Sequence, residues 1–452
     1  MRMFLKAMGF WVWGLIAIAL SASFVTLNYR LVSNNRWHDA AIGSTPSEAA
    51  RANSATVPAT AVTSDKTVPK AGVVSRRIGK EIRAAYDALQ LGQWQDALGS
   101  LEAAEKVSSL TSFDLKTIDE FKAYAYLKLK NIKGAQSAYE AELATGAATV
   151  QETVNVFRML FLLSVSSEQH TEAIEYGVEM AARGGANAQD LGILSQIYYL
   201  QKDCTRSVAW ADKAIAASHE ARQTPQANLY QLKLQCASNA GDTAAMAVML
   251  ADLIRLTHQS NYWNILLRIE RQDERDDHNT LMLYRLMYDT ASMAAGSDYI
   301  EMAQLLSDAA LPAEAQTVLE KGMNSGVILE QQKERATRLL NSLKTRADAD
   351  RHSYASLDAG AAENPAGEFG VKRGEVYYGF GEYPDAVVEL NRGLTKGRVQ
   401  HLDEAYVYLG RAQVALKEID GARTAFANLR SVPNVSPRVV KLWNLYAETL
   451  VE

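Results

Sequence analysis

Residues 374–390 read GEVYYGFGEYPDAVVEL, and residues 406–433 read YVYLGRAQVALKEIDGARTAFANLRSVP. Both stretches place a glycine, an alanine and a large apolar residue at the same offsets. The two sets are Gly374, Ala386, Leu390 and Gly410, Ala422, Phe426. Small residues let two helix backbones approach closely, and large side chains fill the space beside them. The pattern predicts two consecutive helical hairpins, each of which needs a neighbour to bury its apolar face.

A small side chain recurs upstream at the predicted start of each second helix. The recurring positions are Ala97, Ala135, Ala173, Ser207, Met246, Ala315, Ala386 and Ala422. Their spacing is 34 to 39 residues, except for two gaps of 69 and 71 that each have room for one further hairpin. Part of the second gap, 329–358, reads as one long polar-faced helix. Ser436-Pro437 is a good helix start, and it predicts a terminal helix that closes the end of the array.

The hairpins resemble the tetratricopeptide repeat, a 34-residue helix–turn–helix with the signature W-x2-L-G-x2-Y, A-x3-F and P. The last hairpin carries Tyr406-x2-Leu409-Gly410, Ala422-x3-Phe426 and Pro433. It departs from the family at Gln413, which replaces the usual tyrosine, and its centre is two residues longer. Residues 76–452 resemble exported or membrane-anchored members of this family in proteobacteria. The resemblance implies an all-α, right-handed α-solenoid that binds proteins on its concave face.

The N-terminal stretch has the composition of a membrane anchor followed by a tether. Residues 7–29 contain no charged residue, and as a helix they would reach about 34 Å, enough to cross a bilayer core. We therefore expect a transmembrane helix within 1–30, with a signal peptide cleaved near 19–21 as the alternative. Residues 31–75, rich in Ala, Thr, Ser and Pro, are expected to be a flexible linker because they offer little apolar surface to bury.

The rest of the chain is expected to form three segments. Residues 76–256 form N-terminal repeat-like hairpins, 257–366 form degenerate helical repeats, and 367–452 form the C-terminal hairpin pair with its capping helix. The net charge of −5 with mixed signs gives no basic face for nucleic acid. Two cysteines are too few for a four-cysteine zinc site.

No motif of a known catalytic or cofactor site is present. The chain lacks a Gly-rich phosphate loop, a nucleophile elbow and a His-Glu-x-x-His motif. None of the seven histidines has a second histidine within one helical turn, which excludes a metal-binding pair on one helix. The charged run 268–278 lacks the spaced ligands of a calcium loop and is interpreted as a solvated turn. We predict no catalytic, cofactor-binding or metal-binding residue and no enzymatic activity.

The family resemblance supplies candidates for partner binding. In the family, positions 2, 5, 9 and 12 of each first helix face the concave groove. The matching candidates are Gln196, Tyr199, Gln231, Gln235, Glu375, Tyr378 and Arg411. Where the family grips a C-terminal carboxylate with Lys, Arg and Asn, this chain has Val371, Glu375 and Val407. The departure argues against a carboxylate clamp, and a merely solvated surface is the alternative.

A disulfide between Cys204 and Cys236 is also predicted. The two cysteines lie on successive helices that run antiparallel on either side of a turn near Thr224. If the first of these helices ends near Ser218, both cysteines are about equally far from the turn, and a bond becomes possible. An oxidising compartment would favour it, and two separate buried thiols are the alternative.

Together these features favour a non-enzymatic interaction scaffold of the bacterial cell envelope. It would be anchored in the inner membrane by a single span at residues 7–29, with the array in the periplasm. Signal cleavage would instead release it into the periplasm. The other readings are a membrane-tethered adaptor in the cytoplasm and a helical-toroid enzyme acting on polysaccharide. The sequence does not identify the protein partner.

Overall fold

The computed structural model describes residues 74–272, 274–356, 366–433 and 435–451. These residues form 20 α-helices and one 3-10 turn, and no β-strand occurs among them. The predicted anchor within 1–30 lies outside the described residues, as does nearly all of the predicted linker over 31–75. None of the helices in the described ranges is both long enough and apolar enough to cross a bilayer.

The helices divide into two compact units, with the boundary between Arg222 and Gln223. The first unit contains α1 (Gly79–Gln90), α2 (Trp94–Glu105), α3 (Ser112–Lys128), α4 (Ile132–Ala144), α5 (Val150–Ser166), α6 (His170–Ala182), α7 (Ala188–Leu200) and α8 (Cys204–Glu220). The second contains α9 (Ala227–Ala240), α10 (Thr243–Thr257), α11 (Ser260–Gln272), α12 (Asp277–Asp289), α13 (Gly296–Asp308), α14 (Pro312–Asn324), α15 (Glu330–Ser356), α16 (Glu368–Gly379), α17 (Tyr383–Lys396), α18 (Leu402–Ala415), α19 (Ile419–Asn428) and α20 (Pro437–Thr449).

Eight hairpin turns share one backbone feature. In each, a residue with positive φ precedes the recurring small residue by five positions. These residues are Gly92, Lys130, Glu168, Lys202, Gly241, Ala310, Gly381 and Lys417. Only three are glycines, although the left-handed region costs other residues about 1–2 kcal/mol. Five of the turns keep this positive φ without a glycine, so the packing of the flanking helices must stabilise the turn conformation. The predicted hairpin register is therefore confirmed.

The first unit consists of four such hairpins, α1–α2, α3–α4, α5–α6 and α7–α8. Thr111, Thr149 and Asn187 begin α3, α5 and α7 with reciprocal capping boxes, which satisfy backbone donors at each helix start. The recurring small residues of this unit are fully buried. Three of the four first helices are thus locally defined by their caps, and all four are held by close packing against their second helices.

The second unit fills both long gaps in the spacing, but in different ways. The gap between Met246 and Ala315 contains the additional hairpin α11–α12, as expected. In the gap between Ala315 and Ala386, the structure describes the single helix α15, which agrees with the expected long polar-faced helix. The described part of the second unit therefore combines hairpins with the long helix α15, which packs on α14.

The terminal helix α20 buries the predicted apolar stripe, including Trp443 and Tyr446. It packs on α19, as a capping helix should, and also on α10 and α12. Arg438 donates to the Glu270 carbonyl at 2.8 Å, and Trp263 packs edge-on against Tyr446. Earlier in the same unit, α14 packs against α16. The C-terminal hairpins are thus covered by α10, α12 and α14, which determines the surroundings of the candidate site residues.

Candidate functional site

Two of the predicted groove residues lie in the first unit, on α7. Gln196 and Tyr199 are both half-buried, three positions apart and therefore on one face of the helix. Burial raises the pKa of Tyr199, so its hydroxyl stays protonated at neutral pH. Leu200 beside them is 47% exposed. This face of α7 is therefore partly exposed to solvent.

The same register position is half-buried in the other three hairpins of the first unit. The residues 11 positions before the recurring small side chain are Tyr86, Tyr124, Leu162 and Gln196. We call these four residues the unit 1 row. Of these four residues, only Gln196 is among the groove candidates predicted from the sequence. The signal was available, since these residues repeat with the 38, 38 and 34 spacing of the small residues.

Gln231 and Gln235 lie on α9 in the second unit and make contacts within the chain. Gln231 donates to the Tyr262 hydroxyl at 2.9 Å. Gln235 is buried and contacts the Asn239 amide at 3.3 Å. Tyr262 itself is buried. These two glutamines contribute more to internal packing than to an open surface.

Arg411, on α18, is buried in a network of charges from three helices. Its guanidinium donates two hydrogen bonds to Asp289 of α12, at 2.8 and 3.1 Å. A third bond, of 2.6 Å, reaches Glu314 of α14. The guanidinium also lies 4.7 Å from the ring centroid of Tyr378. The predicted groove residue Arg411 therefore binds acids of its own chain and is only 3% exposed.

Arg285, on α12, is the second buried guanidinium of this network. It contacts Glu404 at 2.9 Å, Glu314 at 3.5 Å and the Tyr408 hydroxyl at 2.6 Å. The Tyr408 hydroxyl also donates to Glu314 through a short hydrogen bond. Burial acts against ionisation of Glu314, but Arg411 and Arg285 together lower its pKa. The network therefore places ionised acids between two guanidiniums, which compensates for their removal from water.

Glu375, on α16, is the least satisfied acid of the group. Lys372 donates to one of its oxygens at 2.8 Å, while the other oxygen has no hydrogen-bond partner among the described residues. Burial, and then the charge on Glu404, raises the pKa of Glu375 to about 7. The side chain is 1% exposed. Glu375 and Arg411 therefore do not line an open groove in this structure, because α12 and α14 cover the face that the family leaves free.

Three metal-ligating side chains meet at the N-terminal ends of α12 and α18. His278 lies 2.6 Å from Asp403, and its ring centroid lies 5.3 Å from that of His401. The hydrogen bond to Asp403 raises the pKa of His278. The sequence excludes histidine pairs only within one helix. His278 is more than 120 positions from His401 and Asp403, so this group could not be seen in the sequence. This is the one group of three or more potential ligands found in the described part of the chain.

Both cysteines are in the disulfide-bonded form, and no free cysteine occurs in the described ranges. Cys204 opens α8, and Cys236 lies in α9. The second of these residues is buried.

No protein-family model matches the chain, and a comparison with curated protein sequences finds no match. Solved structures of tetratricopeptide repeat proteins do align with it. One from Parabacteroides merdae is 12% identical, with 82% of this chain and 99% of that chain covered and a TM-score of 0.30. The C-terminal part of a repeat protein from Cytophaga hutchinsonii is 11% identical, with 80% and 98% covered and a TM-score of 0.27. The TPR2AB domain of yeast Sti1, in complex with pHSP90, is 14% identical, with 66% and 98% covered and a TM-score of 0.22. At TM-scores of this size the whole chains do not superimpose, and the hairpin geometry described above rests on this chain's own contacts.

Proposed function

We propose that this chain is a non-enzymatic protein-interaction scaffold that binds its partner along the unit 1 row. The observation that carries the proposal is the contrast between the two units. The row in the first unit is half-buried throughout, whereas three of the four residues at the same register in the second, Gln235, Glu375 and Arg411, are fully buried and only Gln304 is half-buried. A partner can reach the first set without disrupting an existing network.

The row indicates the chemistry of the partner. Two tyrosines, a leucine and a glutamine favour apolar side chains together with some backbone hydrogen bonding. Packed helices lie about 8–10 Å apart, and an extended chain advances about 3.3 Å per residue. An extended segment would therefore cover the spacing between two packed helices in about three residues, and its alternate side chains would face the row. We propose such an apolar, extended segment of another protein as the ligand.

The test is capture of binding proteins by the tagged full-length chain and by variants of the row. Tyr124→Lys and Leu162→Lys keep an aliphatic stem against the core while placing a charge in the row. Val150→Lys, at a site 76% exposed on α5, is the control for added charge. We expect both row variants to lose a protein that the wild type and the control retain. Equal capture by all four proteins, with unchanged melting temperatures, would contradict the proposal.

We further propose that the scaffold works in the bacterial envelope, anchored by residues 7–29 and held away from the inner membrane by residues 31–75. A phosphatase that is active only after export should be active when fused after residue 75. A fluorescent protein that folds only in the cytoplasm should not fluoresce when it is fused at the same position. The predicted disulfide between Cys204 and Cys236 provides a second test. The denatured protein from its native compartment should take up alkylating reagent only after reduction. Two alkylated thiols without reductant, together with cytoplasmic fluorescence, would favour a cytoplasmic adaptor instead.

A further inference from the structure

The potential ligands at the start of α12 and α18 come from three side chains with suitable chemistry. His278, His401 and Asp403 each offer one ligand atom, and these atoms all lie within 4.8 Å of one another. Two imidazole nitrogens and a carboxylate oxygen form a donor set that favours zinc and related transition metals over calcium or magnesium. We propose that these three residues bind one Zn²⁺ ion, independently of partner binding by the first unit.

The scaffold behind the three residues is rigid. The helices α12 and α18 run parallel, because three successive contacts ascend both helices in the same direction. These contacts are His278 with Asp403, Arg285 with Glu404 and Asp289 with Arg411. The two deeper contacts are buried ion pairs, so they fix the spacing and the rotation of the helices. Both helices consequently present their N-terminal ends, and the three ligands, at the same end of the pair.

Binding of the ion requires a small opening between His278 and Asp403 and a closing of any pair of ligand atoms that lies near the 4.8 Å limit. With zinc–ligand bonds of about 2.0–2.1 Å, two ligands of a tetrahedral ion lie about 3.3 Å apart. The His278 nitrogen and the Asp403 oxygen are 2.6 Å apart, so they must separate by a few tenths of an ångström. Side-chain rotation is sufficient for this, because the His278 side chain is 31% exposed. The exposed ring of His401 leaves the fourth coordination position open to water.

The surrounding charges are nearly balanced. Two helix N-termini disfavour a cation, and Lys372 and Arg285 add positive charge nearby. The negative charges of Asp277 and Glu404, in the first turns of the two helices, offset this positive charge together with the ligand Asp403. Because Glu404 is paired with Arg285, the carboxylate of Asp403 remains the main acidic ligand. Because the surrounding charges nearly cancel, we expect zinc affinity to depend on the three ligands and not on an excess of negative charge around them.

The test uses the chelator-treated full-length chain titrated with zinc chloride by calorimetry. His401→Ala removes an exposed ligand without touching the buried ion pairs, so the variant should fold as the wild type does. His219→Ala, at an exposed histidine on α8, is the matched control. We expect one ion per chain in the wild type and the control, and an affinity lower by about tenfold or more in His401→Ala.

A second readout is the melting temperature with and without zinc. An ion that joins α12 to α18 binds only the folded state, so it should raise the melting temperature of the wild type and the control. The rise should be absent in His401→Ala. Equal zinc affinity in all three proteins, or no binding by the wild type, would overturn the proposal.

Discussion

Gly410 shows how one residue determines whether two helices can touch. A Cβ atom built at this position would lie 2.5 Å from the ring of Phe426, closer than real side chains approach. The glycine lies on α18 and the phenylalanine on α19, so the contact is inside the hairpin that the sequence pattern predicts. Its small size is therefore required by packing and not by backbone conformation.

We expect Gly410→Ala to destabilise the protein by about 1–3 kcal/mol, because the methyl group overfills the contact with Phe426. Gly99→Ala is the control, since a Cβ there meets nothing within 4 Å in the interior of α2. That substitution should stabilise by about 0.5–1 kcal/mol, because alanine loses less backbone entropy than glycine. Urea unfolding of the full chain measures both. Shifts of the same sign would mean that the hairpin register is misassigned.

Glu142, on α4, gives the first unit a dependence on pH. It is 2% exposed, and one of its oxygens has no hydrogen-bond partner in the described ranges. Burial, and then the charge on Glu120, raises its pKa from 4.5 to about 8. Between these values the folded state binds more protons than the unfolded state, so stability falls as pH rises through this window.

We therefore expect Glu142→Gln to melt at a higher temperature than the wild type at pH 8.5, and at nearly the same temperature at pH 4.5. The neutral amide does not ionise, so it lacks the penalty that the buried carboxylate acquires as pH rises. Glu172→Gln, at an exposed site on α6, is the control for losing a carboxylate. Thermal melts across pH 4.5–8.5 measure the effect. A difference between Glu142→Gln and the wild type that does not change with pH would show that folding does not raise the pKa of Glu142.

At the scale of helices, the buried charges join elements that are distant in sequence. Glu314 of α14 contacts Arg285 of α12 and Arg411 of α18. The same three helices surround Tyr408, whose hydroxyl bonds to both Arg285 and Glu314. A buried network of this kind adds little to the free energy of unfolding compared with an apolar core of the same volume. Removing one member, however, leaves an unpaired buried charge.

Glu314→Gln is thus expected to destabilise the second unit by about 3–5 kcal/mol, since two guanidiniums lose their shared carboxylate. Glu330→Gln, at the exposed start of α15, should change the stability by less than about 0.5 kcal/mol. Hydrogen exchange resolves the effect by element and should show faster exchange in α12, α14 and α18. If Glu314→Gln were as stable as the wild type, the ion pairs of Glu314 would contribute nothing to the free energy of unfolding.

The helices themselves could be predicted from local sequence, and their partners could not. Ala97, Ala135 and Ala422 recur at the repeat spacing, and Ser436-Pro437 marks the start of α20, so each feature is visible within a few residues. The covering of α16 and α18 by α12 and α14 depends on pairs such as Asp289 with Arg411, which are 122 residues apart. Arginine and glutamate at groove positions read as solvated side chains until their buried partners are known.

At the scale of the molecule, the two units have the same kind of hairpin but expose it differently. The first presents a half-buried row of one side chain per hairpin. The second buries three of its four corresponding residues, Gln235, Glu375 and Arg411, and ends in the capping helix α20. The same hairpin design thus carries a half-buried row in one unit and buried ion pairs in the other.

The most direct test of the proposed binding surface is site-specific photo-crosslinking in the cell that produces the protein. A benzoylphenylalanine at Tyr86 or Tyr124 replaces one aromatic ring of the row with another. The same residue at Val150 or Val388, which are 76% and 62% exposed, reports on surfaces outside the row. We expect adducts of one common partner from positions 86 and 124 and none from 150 and 388. Adducts from the control positions with none from the row would contradict it.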